Sequence, residues 1–409
     1  MRTLLFILSF CLCKFSHAQA TWIQTGIRDT VLGLSGDGTH IWIATEHDGI
    51  KSFNPSTGET NTYDSTNSEI ETADFRSIEC AFGKIYAGSY SDGLYVFDGS
   101  NWTNFDTSNS DIPGNIIRDI VVEPTDSSIW LATNKGLARY FQSNTWIVYD
   151  SIADQIQATH INCLHRSVDG TLWIGTRYNG ITKFVAGAAD NYNFLNSGIN
   201  DNWTRAITED AFGTLYVSNN AGINTYKIAL DDWLFVYTLY TAPLTSVLVN
   251  GMAFDSDDTF WIISHDGTVR ADSANNWTQF YTQQSDISHN TADALYIDAS
   301  NRVYVGTYGG LCYYDAPDPP RISDTIIMQV YPNPATQTLH VITMQSYAYP
   351  PTFRIFDVQG REVTQFTTSY VVDGECTYQL DLTHLVSGMY LLQAITSSQH
   401  QTWPFIKAR

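Results

Sequence analysis

Seven turns spaced 43 to 45 residues apart each place one residue directly after a G-T-like dipeptide: Glu46, Tyr90, Asn134, Arg177, Asn220, His265 and Tyr308. An acid, a cation, an imidazole, two phenols and two amides at equivalent places in a repeated frame are the contacts expected if each repeat gives one group to a shared concave ligand site. Tyr and Arg suit stacking on flat sugar or peptide surfaces and forked hydrogen bonding to their polar groups. Unconstrained surface turns vary as freely, so the set is an expectation for ligand contact.

Catalytic chemistry is less visible. Glu46 with His47, and His265 with Asp266, are adjacent acid–base pairs, but neighbours on a turn need not converge, and no third orienting group is legible. The best pair for proton abstraction is His265 with Tyr308. No residue is assigned a catalytic role, and no cofactor or metal is expected. Cys80, Cys163, Cys312 and Cys376 show neither C-x-x-C spacing nor a neighbouring His pair, and they read as small buried hydrophobes. The stretches SGDGT at Ser35, SVDGT at Ser167 and DSDDT at Asp255 lack the alternation and terminal Glu of a calcium loop and read as strand turns.

The elements that must hold these turns follow from the period. Trp42, Tyr86, Trp130, Trp173, Tyr216, Trp261 and Tyr304 anchor a W-I-G-T-like tetrapeptide at intervals of 44, 44, 43, 43, 45 and 43 residues. Such a repeat, with strand-like alternation and no 3.6-residue periodicity, predicts a seven-bladed β-propeller with four strands per blade. In the third unit the strands are expected at Ile117 to Glu123, Ile129 to Thr133, Leu137 to Phe141 and Trp146 to Tyr149. Gly49, Gly93, Gly136, Gly180, Gly222, Gly267 and Gly310 recur where a tight hairpin needs φ > 0. Outer strands carry an N-W or D-W signature, as in NWTNF at Asn101 and NNWTQF at Asn275. The seventh unit lacks this strand, whereas ATWIQT at Ala20 to Thr25 has the signature and no blade of its own. Trp22 to Thr25 is therefore expected to complete the last blade and close the ring, removing an exposed edge.

Composition limits the partners. The chain has 409 residues, 43% hydrophobic and 13% aromatic, enough for a large core. Its formal charge is −21 with no basic clusters, which disfavours nucleic acid and anionic membranes. Residues 1–20 read as a secretory signal: Arg2, an apolar run from Leu4 to Cys13, and Ala18-Gln19-Ala20, with cleavage after Ala18 or Ala20. The run is too short to span a bilayer, and no integral membrane segment is expected.

The W-I-G-T-x-x-G-[LI] repeat resembles the two-component regulator propeller family, found in extracytoplasmic sensor regions of hybrid histidine kinases. The resemblance covers roughly Thr21 to Asp315 and implies a scaffold that binds extracellular ligands. From Thr325 to Arg409 the chain changes character and predicts a small antiparallel β-sandwich of about seven strands. This part resembles the C-terminal sorting domain of the type IX secretion system of Bacteroidetes-like bacteria. The matching residues are Pro332, Asn333 and Pro334, the turn Asp357-x-x-Gly360-Arg361, Gly388-x-Tyr390, and Lys407. The resemblance implies engagement of the type IX machinery and secretion or attachment at the outer surface of a Gram-negative cell.

The expected organisation is a signal peptide at 1–20, the propeller at 21–316, a linker at 317–323 and the sorting sandwich at 324–409. The expected function is a secreted or surface-displayed protein whose propeller binds an extracellular glycan, peptide or other polymer. Two other readings stay open: a polysaccharide or glycopeptide lyase acting at the same face, and a structural adhesin or matrix protein. A binding protein is favoured over an enzyme.

Overall fold

A computed structural model describes residues 21–149, 156, 160–228, 231–239, 242–272, 276–315, 328–343, 352–357, 359–366, 370–372, 375–395 and 400–408. The expected signal segment and the linker lie outside these residues. Every named element is a β-strand. Among the described residues, seven four-stranded antiparallel sheets cover Thr21–Asp315, and two more cover Met328–Lys407.

The seven inner strands are Val31–Gly36, Phe75–Ala81, Ile117–Glu123, Ile161–Arg166, Ala206–Glu209, Val249–Phe254 and Ala292–Ile297. Each lies against the next, and the seventh lies against the first, which makes a closed seven-bladed propeller around a central channel. The hydrophobic clusters straddle neighbouring blades. One joins Trp42, Ala44 and Ile50 of blade 1 to Phe75, Ile78, Tyr95 and Trp102 of blade 2. Burial between sheets, and not within any one of them, is therefore what holds a blade in place.

The anchor tetrapeptide is explained position by position. Its aromatic ring is buried between blades, while its polar tip reaches back to the turn that links the first and second strands. The indole N–H groups of Trp42, Trp130, Trp173 and Trp261 donate to Asp37, Glu123, Ser167 and Asp255. The phenols of Tyr216 and Tyr304 donate to Asp210 and Asp298 at 3.3 Å. Tyr86 instead pairs with Gln142 of the next blade. The acids of the SGDGT and DSDDT stretches thus serve as internal acceptors for buried donors. The fourth position closes the next hairpin, since Thr45, Thr133, Thr176, Ser264 and Thr307 donate their hydroxyls to the carbonyls of Gly49, Gly136, Gly180, Gly267 and Gly310. Positive φ is one requirement on these glycines; contact is the other. A Cβ on Gly93 would sit 2.1 Å from the Phe105 carbonyl oxygen, and one on Gly310 would sit 1.9 Å from that of Ile27.

The strand Thr21–Gln24 pairs antiparallel with Gly310–Asp315, matching Thr21 to Asp315 and Gln24 to Cys312. The N-terminus thus supplies the outer strand of the seventh blade, as expected. Trp22 is buried edge-on against Trp261, Phe280 and Tyr314, with centroids 5.3 to 6.3 Å away. Cys80, Cys163 and Cys312 are free thiols, the last two buried, as their setting in strands suggested; nothing is described of the Cys376 side chain.

In the tail, eight described strands, one more than the sequence suggested, form sheets with Met328–Tyr331, Thr338–Thr343, Glu375–Asp381 and Tyr370–Val372 on one side, and Glu362–Phe366, Thr352–Asp357, Gly388–Ile395 and His400–Lys407 on the other. Their shared core includes Leu339, Phe353, Ile355, Leu392 and Phe405. Deleting Thr21 to Thr25, or making Trp22→Ala, is expected to lower the propeller's melting temperature, the latter through a loss of about 3–5 kcal/mol; thermal unfolding followed by near-ultraviolet circular dichroism checks this, and an unchanged transition would contradict ring closure by this strand.

Candidate functional site

The seven turn residues do share one face. Backbone N–H groups of Glu46, Tyr90, Asn134, Arg177, His265 and Tyr308 donate to the carbonyls of Thr30, Asp74, Ile116, His160, Leu248 and Thr291, at 3.0 to 3.2 Å. Each acceptor immediately precedes or nearly precedes an inner strand, so every turn is tied to the entrance of its own blade's inner strand. The seventh, Asn220, reaches the same region by accepting from Arg205 Nε at 3.0 Å. The turns therefore ring one mouth of the central channel.

A second, inner ring was not legible as a set in the sequence. The pairing register of six inner strands shifts just after their first residue, at Val31/Gly33, Phe75/Ser77, Ile117/Asp119, Ile161/Cys163, Val249/Gly251 and Ala292/Ala294. The skipped residues are Leu32, Arg76, Arg118, Asn162, Asn250 and Asp293. A bulge leaves one residue out of the ladder and re-aims its side chain, here into the channel. In blade 5 Arg205 takes the equivalent place, its N–H bonded to the Ser218 carbonyl at 2.9 Å. These seven residues and Trp203 line a cavity of about 240 Å³. Each lies ten to twelve residues before its anchor aromatic. That offset was available in the sequence, but strict strand alternation hides a bulge.

The two rings interact differently around the mouth, and Trp203 joins the two sets, since the Arg177 and Arg205 guanidinium groups both lie over it. On one side Asn250 Nδ2 donates to Asp293 Oδ1 at 2.5 Å, Arg205 reaches Asn250 Oδ1 at 3.4 Å, and Asn162 Nδ2 donates to the Thr204 carbonyl at 3.0 Å. Asp293 is held above the usual carboxylate range by burial, opposed by the charges of His265 and Arg76 and a hydrogen bond with Tyr308. The Asp293 charge in turn, with burial, pushes the Tyr308 phenol up. Tyr308 also stacks on His289, with centroids 6.0 Å apart. On the other side the Arg76 guanidinium lies 4.5 Å over Tyr90, and that of Arg177 lies 4.4 Å over Trp203 and 5.4 Å from Tyr178. Asn134 is engaged in the frame, accepting from the Ile116 N–H at 3.4 Å, which makes it the weakest of the expected contacts. Glu46 acts at a distance, its charge raising Tyr308. His265 and Tyr308 flank Asp293, and no described hydrogen bond joins them.

A larger cavity, about 470 Å³, lies at the opposite ends of the inner strands, between Glu79, Pro124, His165 and Arg166. Two of its charged groups are satisfied from outside the lining: Arg166 Nε bonds Glu123 at 2.7 Å, and His165 faces Glu209 at 3.4 Å. Burial works against ionising Glu123, but hydrogen bonds from Arg166, Thr125 and Trp130 outweigh it and bring its carboxyl down to about 2. Glu79 is the exception: burial and the nearby Asp119 charge push its carboxyl up to about 8, against a hydrogen bond with Ser35. No group of three or more metal-ligating side chains occurs among the described residues.

In the tail, the expected sorting residues converge. Asn333 Oδ1 accepts from Ile406 N–H at 3.0 Å, and Ala335, next to Pro334, bridges to Lys407. Arg361 grips Asp357 through two nitrogens at 2.8 and 2.7 Å, across a turn with Gly360 at φ +78°. Asp357 pairs with Tyr390, and Gly388 pairs with Lys407, so these motif residues occupy one end of one sheet, and the Pro332 to Pro334 turn reaches it from the other.

Residues 329–408 match the family model of the secretion system C-terminal sorting domain. A comparison with curated proteins finds no match. Among solved structures the chain is similar to PorZ, a surface component of the type-IX secretion system of Porphyromonas gingivalis, at 15% identity over 93% of this chain and 60% of that one, with a TM-score of 0.59. It is similar to a streptogramin B lyase at 12% identity over 72% of this chain and 97% of that one, TM-score 0.60. A further neighbour is the extracellular domain of a putative hybrid two-component system from B. thetaiotaomicron, at 17% identity over 95% and 57%, TM-score 0.41. The chain spans 60% of the length of PorZ. At such identities the likeness is one of fold. No described helix is long and apolar enough to cross a membrane.

Because the fold raises the Glu79 pKa, the protonated form stabilises the propeller, and that contribution is full below about pH 4.5 and lost as pH rises towards 8. Glu79→Gln is accordingly expected to melt with the wild type at pH 4 and several degrees above it at pH 8; a melting series across this range checks the sign.

Proposed function

We propose that this secreted or cell-surface propeller protein, which carries a type IX sorting tail, is a binding protein that takes an extracellular glycan or a similar polymer at the ringed mouth of its central channel. The observation that carries this reading is the convergence of one side chain from every blade on a single cavity, bordered by half-exposed Tyr90, Tyr178 and Tyr308. Aromatic faces beside polar groups that fix orientation are the usual makings of a carbohydrate platform. The tail, by the same family match, engages the type IX machinery and delivers the propeller to the cell exterior.

A lyase is the weaker reading. A tyrosine that abstracts a proton works best with its pKa brought down towards the operating pH, whereas Asp293 and burial push that of Tyr308 up. The likeness to a streptogramin B lyase, at 12% identity, concerns the scaffold. An adhesin without a defined ligand leaves the convergence of seven side chains unused.

The test is a titration of the full mature chain against a panel of soluble oligosaccharides, with turnover monitored in the same samples. Arg177→Ala and Tyr308→Ala are each expected to weaken binding at least tenfold without lowering the melting temperature, since removing one stacking or forked contact costs about 1.4 kcal/mol or more. Wild-type affinity in both variants would retire this face as the site, and appearance of an unsaturated product would favour the lyase.

A further inference from the structure

The half-buried arginines on one side of the channel mouth are unlike the other half-buried arginines of the propeller. Arg139 pairs with Asp126, Arg166 with Glu123 and Arg302 with Asp315, and Arg205 donates to Asn220 and Asn250. Arg76, Arg118 and Arg177 have no ion pair and donate no side-chain hydrogen bond among the described residues. Three of their nitrogens, Arg76 Nε, Arg118 Nη1 and Arg177 Nε, are shielded from solvent and still lack a partner. The chain holds 42 carboxylates against 21 basic residues, so acids to pair with were not scarce. Burial, and then the positive charges of Arg76 and Arg177, bring the Arg118 pKa down. Nor are the side chains loose, because Tyr90 backs Arg76 and Trp203 backs Arg177. Asp293, the carboxylate of the inner ring, is tied to Asn250 on the other side.

Three crowded guanidinium groups with no ion-paired or hydrogen-bonded carboxylate, the Asp293 charge reaching Arg76 only at a distance, are costly unless something anionic completes them. Resting on the reading above, we infer that Arg76, Arg118 and Arg177 seat an anionic substituent, a carboxylate or a sulfate, of an acidic glycan. Planar guanidinium forks match the paired oxygens of either group, and such charge-assisted bonds are short and strong. A cavity of about 240 Å³ has room for a substituent and not for a polymer. The chain of sugars therefore lies across the rim, where Tyr90 and Tyr178 are half-exposed for ring stacking, and one acidic group reaches in.

The experiment titrates the full mature chain with oligogalacturonate as a uronate probe, heparin oligosaccharide as a sulfate probe, dextran as a neutral probe, and a peptide bearing a free C-terminal carboxylate. One or both acidic glycans should bind at least tenfold more tightly than dextran, and the affinity should fall as NaCl rises from about 50 to about 500 mM. Arg118→Gln should lose at least tenfold of the acidic-glycan affinity while melting at or above the wild-type temperature, because it relieves like-charge crowding; a structural arginine would lower it. Dextran binding as tightly as the acidic glycans, with Arg118→Gln like wild type, overturns the anion seat and leaves the glycan-binding face standing. Binding of the peptide alone, or of no probe at all, overturns the carbohydrate assignment, and binding of dextran with neither acidic glycan overturns the anion seat alone. Acidic-glycan binding indifferent to both Arg177→Ala and Tyr308→Ala overturns the face itself.

Discussion

The structure depends on how a large aromatic side chain with one polar atom can be buried. Each blade presents a Trp or Tyr to its neighbour, and ring burial supplies the adhesion between sheets. The indole or phenol proton must then find an acceptor, and a residue at the first-to-second-strand turn provides it in six of the seven blades. That bond fixes the turn and, through the turn, the start of the second strand. It also explains why Trp and Tyr interchange freely at the anchor: both combine a flat apolar body with a donor at the far end.

One effect of this division of labour is that the two ends of the channel have different freedoms. At the end where the first-to-second-strand turns lie, the carboxylates are taken up by anchors and neighbouring blades, as Glu123 is by Trp130 and Arg166. At the other end the hairpin is closed by backbone, glycine and a Thr or Ser hydroxyl. The residue that follows the hydroxyl is then free to vary, and six blades use the same N–H-to-carbonyl bond whatever that residue is.

The repeat period, the four-strand unit, the glycine turns and the closing strand around Trp22 were all legible, because each follows from spacing or from a local backbone requirement. The face shared by Glu46, Tyr90, Arg177 and Tyr308 was legible for the same reason. Arg76, Arg118 and Arg205 were not. Read by alternation they are unremarkable neighbours of the buried Phe75, Ile117 and Ala206; a register shift turns Arg76 and Arg118 into the channel, and Arg205 reaches it from just before its strand. Nor could spacing show that Asn134 is spent on the Ile116 N–H, since an amide at a turn looks the same whether it faces a ligand or the backbone. In the tail, the approach of the Pro332 to Pro334 turn to Lys407 depends on a parallel bridge from Ala335 across more than 70 residues, which no local pattern encodes.

Pairing Thr21 with Asp315 also changes what a break in the chain means. In an open array of repeats, a cut between two units separates everything beyond it. Here the two ends of the propeller are also joined by strand hydrogen bonds, so the two pieces left by a single cut between blades still meet at two places around the ring, the cut interface and the closing sheet. Ring closure thus doubles the contact that holds such pieces together, where an open array would leave them a single interface.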